Sequence, residues 1–329
     1  MINVSRVPAE ALEKFILGFE GHHLPAEVAR LLAEGLAGVI LFPRNFSSAS
    51  ELEGLCAEIR RTAGRPVLIG IDQEGGTRFS LPPPFTKWPS AAELGARDDA
   101  AEVEQIARGM ARELRDAGVN LDFAPMLDLH LQPESPVTEQ RSFGADPEKV
   151  ARLGAAFAHG LAAEHILACA KHFPGHGDTR VDPHLDLPVF DCALDRLRKM
   201  ELVPFARAAR ENVPLMMTAH ILLPAIDSDT PASLSRRILA EVLREEMGYK
   251  GVILADDLGM GAIRNRWPVE RAAVAAFTAG SDLALICHDA SLVAPALQAV
   301  VRAIASGELN ASELRASHTR IAHLHSLIS

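Results

Sequence analysis

Between positions 171 and 184 the chain reads Lys171-His172-Phe173-Pro174-Gly175-His176-Gly177-Asp178-Thr179 and then Asp182-Pro183-His184. A lysine, three imidazoles and two carboxylates thus follow the apolar run 166–170 directly. Such a concentration of titratable groups behind a buried segment points to the wall of an active site. A metal pair is one reading, because His172 and His176 are four apart, but Pro174 and Gly175 lie between them and break the helical geometry that would aim both at one ion. A phosphate cradle is another, yet Gly175-x-Gly177 lacks a third glycine and no helical pattern opens behind it. Plain polar loop residues are the remaining alternative.

Whatever this segment does, a scaffold must hold it. Short apolar runs bounded by Gly, Pro or charge recur at 15–19, 38–42, 67–71, 119–124, 166–170, 214–218, 252–255 and 283–287, and read as strands. The stretches between them fit helices at 26–34, 48–62, 100–117, 147–164, 194–211, 236–247, 268–279 and 292–305, with a further helix at 311–327. Strands that each lead into a helix pair in parallel with their crossovers outside, so eight such units predict an α/β fold, a single-domain (β/α)8 barrel of the TIM type over residues 1–329. A doubly wound open sheet is the alternative. No low-complexity linker divides the chain, and the Pro-rich patch Leu81-Pro82-Pro83-Pro84 falls inside one strand-to-helix connection.

A barrel of this type keeps its chemistry at the C-terminal ends of its strands. Six strand ends here deliver ionisable residues: Asp72, Asp128, Lys171 with His172, His220, Asp256 with Asp257, and His288. Asp256 directly ends the strand Val252-Ile253-Leu254-Ala255, rigid enough to hold a nucleophile, while His184 lies in a loop two β/α units earlier. A fixed carboxylate facing a mobile proton donor is what displacement at an acetal carbon needs. Consecutive strand residues face opposite ways, so only one of Asp256 and Asp257 can aim at a substrate.

Composition narrows the partner. With 329 residues, 48% apolar content and a formal charge of −10, the chain has ample core and no basic stripe, so nucleic acid is not expected as a partner. Cys56, Cys169, Cys192 and Cys287 are far apart and show no C-x-x-C spacing, so neither a disulfide framework nor a thiolate metal site is indicated. No basic start with a long apolar stretch opens the sequence, and no run of about 18 apolar residues occurs. We therefore expect a cytoplasmic protein without membrane contact that acts on a small molecule; a monomer is the simplest expectation for one domain, and no metal or cofactor is expected.

These residues resemble those of glycoside hydrolase family 3, in particular its single-domain bacterial β-N-acetylhexosaminidases. The resemblance runs over nearly the whole chain. Besides Lys171 to Thr179 with Asp182-x-His184, it rests on Gly38-Val39-Ile40-Leu41-Phe42-Pro43-Arg44-Asn45, Asp72-Gln73-Glu74-Gly75-Gly76, Arg141-Ser142-Phe143-Gly144, Thr218-Ala219-His220, Pro231-Ala232-Ser233-Leu234-Ser235 and Asp256-Asp257-Leu258-Gly259-Met260.

The resemblance implies a retaining hydrolase that removes non-reducing terminal GlcNAc from a glycoside, in cytoplasmic relatives a cell-wall muropeptide. It implies Asp256 as nucleophile, His184 as acid/base with Asp182 orienting it, and Asp72, Arg78, Arg141, Lys171 and His172 as groups that bind the sugar. An imidazole of pKa ~6.5 suits proton transfer at neutral pH. Two departures from the family pattern stand out. The segment Gly75-Gly76-Thr77-Arg78-Phe79 is two residues shorter than the usual spacing to the arginine, and Glu139 precedes Arg141 where an apolar residue is common. The competing readings are a Schiff base on Lys171, a metal site on His172, His176 and Asp256, a non-catalytic sugar-binding barrel, a β-glucosidase-type enzyme, and phosphate in place of water as acceptor.

Overall fold

Strands buried on both faces pair in parallel with helices outside, and every residue of the eight strands in this chain is buried. The computed structural model describes residues 7–77 and 81–328. Its strands are β1 (Phe15–Leu17), β2 (Gly38–Ile40), β3 (Leu68–Ile71), β4 (Leu121–Asp122), β5 (Leu167–Phe173), β6 (Leu215–Thr218), β7 (Val252–Ala255) and β8 (Leu283–Ile286). They pair in parallel in chain order, and β1 closes on β8 with Ile16 opposite Leu285, so the sheet is a closed barrel as expected.

Alternate strand residues fill the interior, among them Ile40, Leu68, Phe123, Cys169, Leu254 and Leu285. Gly70 makes room there: a Cβ at that position would sit 2.6 Å from the Phe123 ring. The other strand faces meet the surrounding helices in a second, larger apolar cluster. At the N-terminal end of the barrel the last helix, 311–326, inserts Ile321 and Leu324 into the interior cluster. Nearby, Asp282 at the foot of β8 accepts from Arg320 and from the Ile253 amide, at 2.7 and 2.9 Å. That face is built for stability.

Helix starts follow local capping. Ser48, Asp99, Asp146 and Asn310 each accept from amides of the first turn that follows them. Three features differ from the sequence reading. β5 runs to Phe173 instead of stopping at 170, because it keeps pairing with β6 through a register shift up to Phe173 and Thr218. The helix expected at 194–211 is two, Leu194–Lys199 and Leu202–Arg210, and the break places Pro204 in a first turn, where its missing N–H costs no hydrogen bond. Three short α-helices, Ala9–Leu12, Ala91–Arg97 and Gly261–Arg264, add to those expected; the second opens with a Ser90/Glu93 capping box that is readable in sequence.

Candidate active site

A cavity of about 380 Å³ opens at the C-terminal ends of the strands, where β3, β5, β7 and β8 deliver Asp72, Lys171, His172, Asp256 and His288 to its walls. At its floor the charges are paired. Lys171 Nζ lies 2.6 Å from Asp72 Oδ1 and 2.5 Å from Glu74 Oε1. Arg141 spans the same Glu74 with two parallel bonds, Nε to Oε2 at 2.7 Å and Nη2 to Oε1 at 2.8 Å. Burial opposes the charge on Glu74, but Arg141 and Lys171 outweigh it and hold the carboxyl far below the usual range. Burial likewise opposes the charge on Lys171, and Asp72 and Glu74 outweigh it, so its pKa is raised. A Schiff-base lysine needs a neutral amine, which this pairing withholds.

Asp128, fully buried behind β5, holds the His172 ring and the His176 backbone of the motif. It accepts from His172 Nδ1 at 2.7 Å and from the His176 amide at 2.6 Å. His172 is left with its Nε2 edge for the cavity. In His176 the Thr179 hydroxyl already gives its proton to the His176 carbonyl, at 2.8 Å, so Nδ1–H of the ring must donate to Thr179 Oγ1, at 3.1 Å. Burial holds this imidazole neutral, with its pKa lowered to about 3. Its Nε2 is then an acceptor on the cavity wall.

Asp256 follows β7 and accepts from the Asp257 amide at 2.7 Å. Burial alone would raise its pKa; His220, His172 and that amide outweigh burial and bring it below the ordinary value. The amide is the firmest of these, since His220 is itself kept neutral by burial. Asp257 also borders the cavity, but its Oδ1 is engaged: it accepts from the amides of Gly259 and Cys287 at 2.9 and 3.1 Å, stitching the end of β7 to that of β8. His220 lies behind the wall, with Nε2–H donating to the Asp257 carbonyl at 3.0 Å and Nδ1 accepting from Ser233 Oγ at 2.6 Å.

His184 reaches the cavity from the loop after β5. Asp182 Oδ1 accepts from both its Nδ1 and its amide, at 2.8 and 2.9 Å. The loop is docked on the helix that follows Asp256: Gly261 N–H donates to the His184 carbonyl at 3.1 Å, Ala262 N–H to Pro183 at 2.9 Å, and Asn265 Nδ2 to Leu185 at 3.0 Å. Only glycine allows this approach, because a Cβ at position 261 would lie 2.5 to 2.6 Å from the Leu185 and His184 carbonyl oxygens.

Seven of the eight residues singled out in the sequence therefore surround one cavity: Asp72, Arg141, Lys171, His172, Asp182, His184 and Asp256. Arg78 lies outside the described residues. Of the six rim positions, Asp128 and His220 stand behind the wall as supports. Glu74 was not singled out, although it is two residues from Asp72, because charge pairing across strands leaves no mark in spacing. Glu139 is exposed and does not border the cavity. Among the described residues no three His, Cys, Asp or Glu side chains converge as metal ligands.

Residues 17–324 match the family model described as the glycosyl hydrolase family 3 N terminal domain. The chain is 39% identical over 294 residues to a β-hexosaminidase of Alkalilimnicola ehrlichii, covering 87% of this chain and 84% of that one. It is 37% identical over 292 residues to a β-hexosaminidase of Stenotrophomonas maltophilia, covering 87% and 86%. Among solved structures it resembles a family 3 β-N-acetylglucosaminidase from a Paenibacillus species, with a TM-score of 0.95 and 36% identity; the match covers 99% of this chain but 64% of the other. It also resembles a β-N-acetylhexosaminidase from Beutenbergia cavernae, with a TM-score of 0.89 and 26% identity, covering 99% and 100%.

Proposed function

The chain belongs to glycosyl hydrolase family 3 and is a glycoside hydrolase; from that premise we propose a retaining β-N-acetylhexosaminidase that removes non-reducing terminal GlcNAc. The observation that carries this reading is the meeting, in one cavity, of the Asp256 carboxylate with a loop imidazole, His184, whose Nδ1 is tied to Asp182. The similar proteins from Alkalilimnicola, Stenotrophomonas and Paenibacillus carry hexosaminidase names and support the sugar.

Asp256 is held ionised and attacks the anomeric carbon. His184 gives its Nε2 proton to the glycosidic oxygen as that bond breaks, and a glycosyl ester forms on Asp256. In the second step His184, now neutral, takes a proton from water as the water oxygen attacks the same carbon and releases the Asp256 carboxylate. Two inversions give net retention. Asp182 fixes the proton on Nδ1 in the neutral form, which keeps Nε2 available for both transfers. Asp72, Lys171, Arg141 and His172 grip the ring hydroxyls; Arg78 is assigned to the same group from sequence. A neutral sugar suits their fixed, short and directional contacts. Residues 1–329 act here as one catalytic barrel.

A cytoplasmic monomer acting on cell-wall muropeptide fragments is the setting we infer, with only the sugar as partner. No helix among the described residues is long and apolar enough to cross a membrane. The test is to trap the wild type with a 5-fluoro N-acetylhexosaminyl donor or a 2-deoxy-2-fluoro glycosyl donor and locate the label by peptide mapping. A label on Asp256, with Asp256→Ala inert toward an aryl β-N-acetylglucosaminide, is the expected result. A label on Asp257 would overturn the assignment, and release of sugar 1-phosphate in phosphate buffer would replace hydrolysis by phosphorolysis.

A further inference from the structure

One residue at the cavity mouth has its protonation state set by a neighbour that can only donate. His288 follows β8 and is exposed, like His184, whereas Lys171 and His172 lie buried at the floor. Arg44 Nη1 stands 3.0 Å from His288 Nδ1, while Nη2 donates to the Cys287 carbonyl at 2.7 Å and Nε to the Phe19 carbonyl at 3.1 Å. A guanidinium has no lone pair to offer, so His288 Nδ1 must accept, and a neutral imidazole that accepts there carries its proton on Nε2. The same guanidinium sits 4.2 Å over the Phe42 ring, and Phe42 lies against His288 with centroids 5.0 Å apart and planes tilted by 34°. Both rings border the cavity.

We propose that Phe42 and His288 form the subsite for the departing sugar: Nε2–H of His288 donates to an acceptor oxygen of that residue, and the Phe42 ring receives its C–H face. This rests on the hexosaminidase reading above. The floor of the cavity is already furnished for the ring that carries the scissile carbon, with Asp72, Lys171, Arg141 and His172. The mouth holds His184, the group that must meet the departing oxygen, so a second directional donor at the mouth faces the leaving side. Sugars present hydroxyl edges and apolar faces together, and a ring beside a fixed donor matches both.

The groups facing His288 are Arg44, His184, Glu20 and Asp72. Burial and the first two disfavour its charged form and outweigh the two carboxylates, so its pKa falls. His288 consequently donates without trading its proton, and it does not duplicate His184.

The experiment compares kcat/KM for the β-1,4-linked GlcNAc disaccharide and for an aryl β-N-acetylglucosaminide in the wild type, His288→Phe and His288→Gln. Loss of one neutral hydrogen bond predicts that His288→Phe lowers the ratio of disaccharide to aryl efficiency by about tenfold. His288→Gln, which keeps an amide donor, recovers most of it. Ring nitrogen NMR of the wild type at pH 7 shows the proton on Nε2. An unchanged ratio in His288→Phe, equal losses on both substrates, or a proton on Nδ1 overturns the subsite. A wild type that cleaves neither substrate overturns the hexosaminidase reading beneath it.

Discussion

Replacing Glu74 by Gln removes the charge on which the cavity floor is assembled. Its carboxylate makes three charge-assisted contacts, 2.7 and 2.8 Å to the Arg141 fork and 2.5 Å to Lys171, and it is almost fully buried. An amide oxygen can accept from only part of this set, and Arg141 is left buried without the carboxylate that its fork spans. Breaking a buried ion pair from one side costs about 3–5 kcal/mol. With an unfolding entropy of about 2.1 cal/mol/K per residue over 329 residues, the melting point should fall by about 4–7 °C.

Activity should suffer independently, since Lys171 and Arg141 border the cavity and lose a shared anchor; we expect KM to rise about tenfold. Calorimetry with Michaelis kinetics reads both effects. The double variant Glu74→Gln/Arg141→Met, which removes the unpaired cation, should regain melting temperature without regaining activity. A Glu74→Gln protein that melts within one degree of the wild type at unchanged KM would refute the claim that this carboxylate organises the site.

Asp182→Ala frees Nδ1 of His184 and should lower kcat about 10²-fold on a disaccharide, with the melting point moving by a few degrees at most because the imidazole that Asp182 holds is exposed; full kcat would remove Asp182 from the mechanism. Gly261→Ala puts a Cβ against the backbone that carries His184, and a displacement near 1 Å should lower kcat about 10²-fold while the melting point moves by a few degrees at most; normal kcat in this variant would show that the docked loop position is immaterial. His176 is neutral in the fold, with a pKa of about 3, and takes a proton in the unfolded chain below about 6.5. Its contribution is therefore complete above pH 6.5 and declines as pH falls toward 3, by about 1.4 kcal/mol per pH unit. Denaturant midpoints between pH 7 and 4 should fall less steeply in His176→Gln than in the wild type; parallel curves would contradict the buried neutral imidazole.

Legibility in the sequence followed how local each physical cause is. The alternation of apolar runs with helical patterns was enough for the closed parallel barrel, because strands buried on both faces leave few other packings. The single helix expected at 194–211 breaks at 200–201, just ahead of Pro204, a local signal, whereas the extension of β5 to Phe173 depends on its partner β6 and has no local signature. Titratable residues at strand ends marked the site, but nothing in their spacing separates Asp128 and His220 from Asp72 and Asp256. Which way a side chain turns after a strand depends on what lies behind it: here the His172 ring and the His176 amide for Asp128, and Ser233 with the Asp257 carbonyl for His220.

By itself the amino-acid sequence determined the barrel and the strand ends where titratable residues gather, while the bond between Asp182 and His184, two residues apart in a local turn, was implied by the family resemblance. Only the tertiary structure decided how charge is shared across distant strands. Glu74 joins Arg141 and Lys171, Arg44 sets the tautomer of His288 from 244 positions away, and Gly261 receives the loop of His184. Hydrogen bonds and ion pairs act over about 3 Å in space, whatever the separation along the chain, so closing the barrel was needed to bring these partners into range.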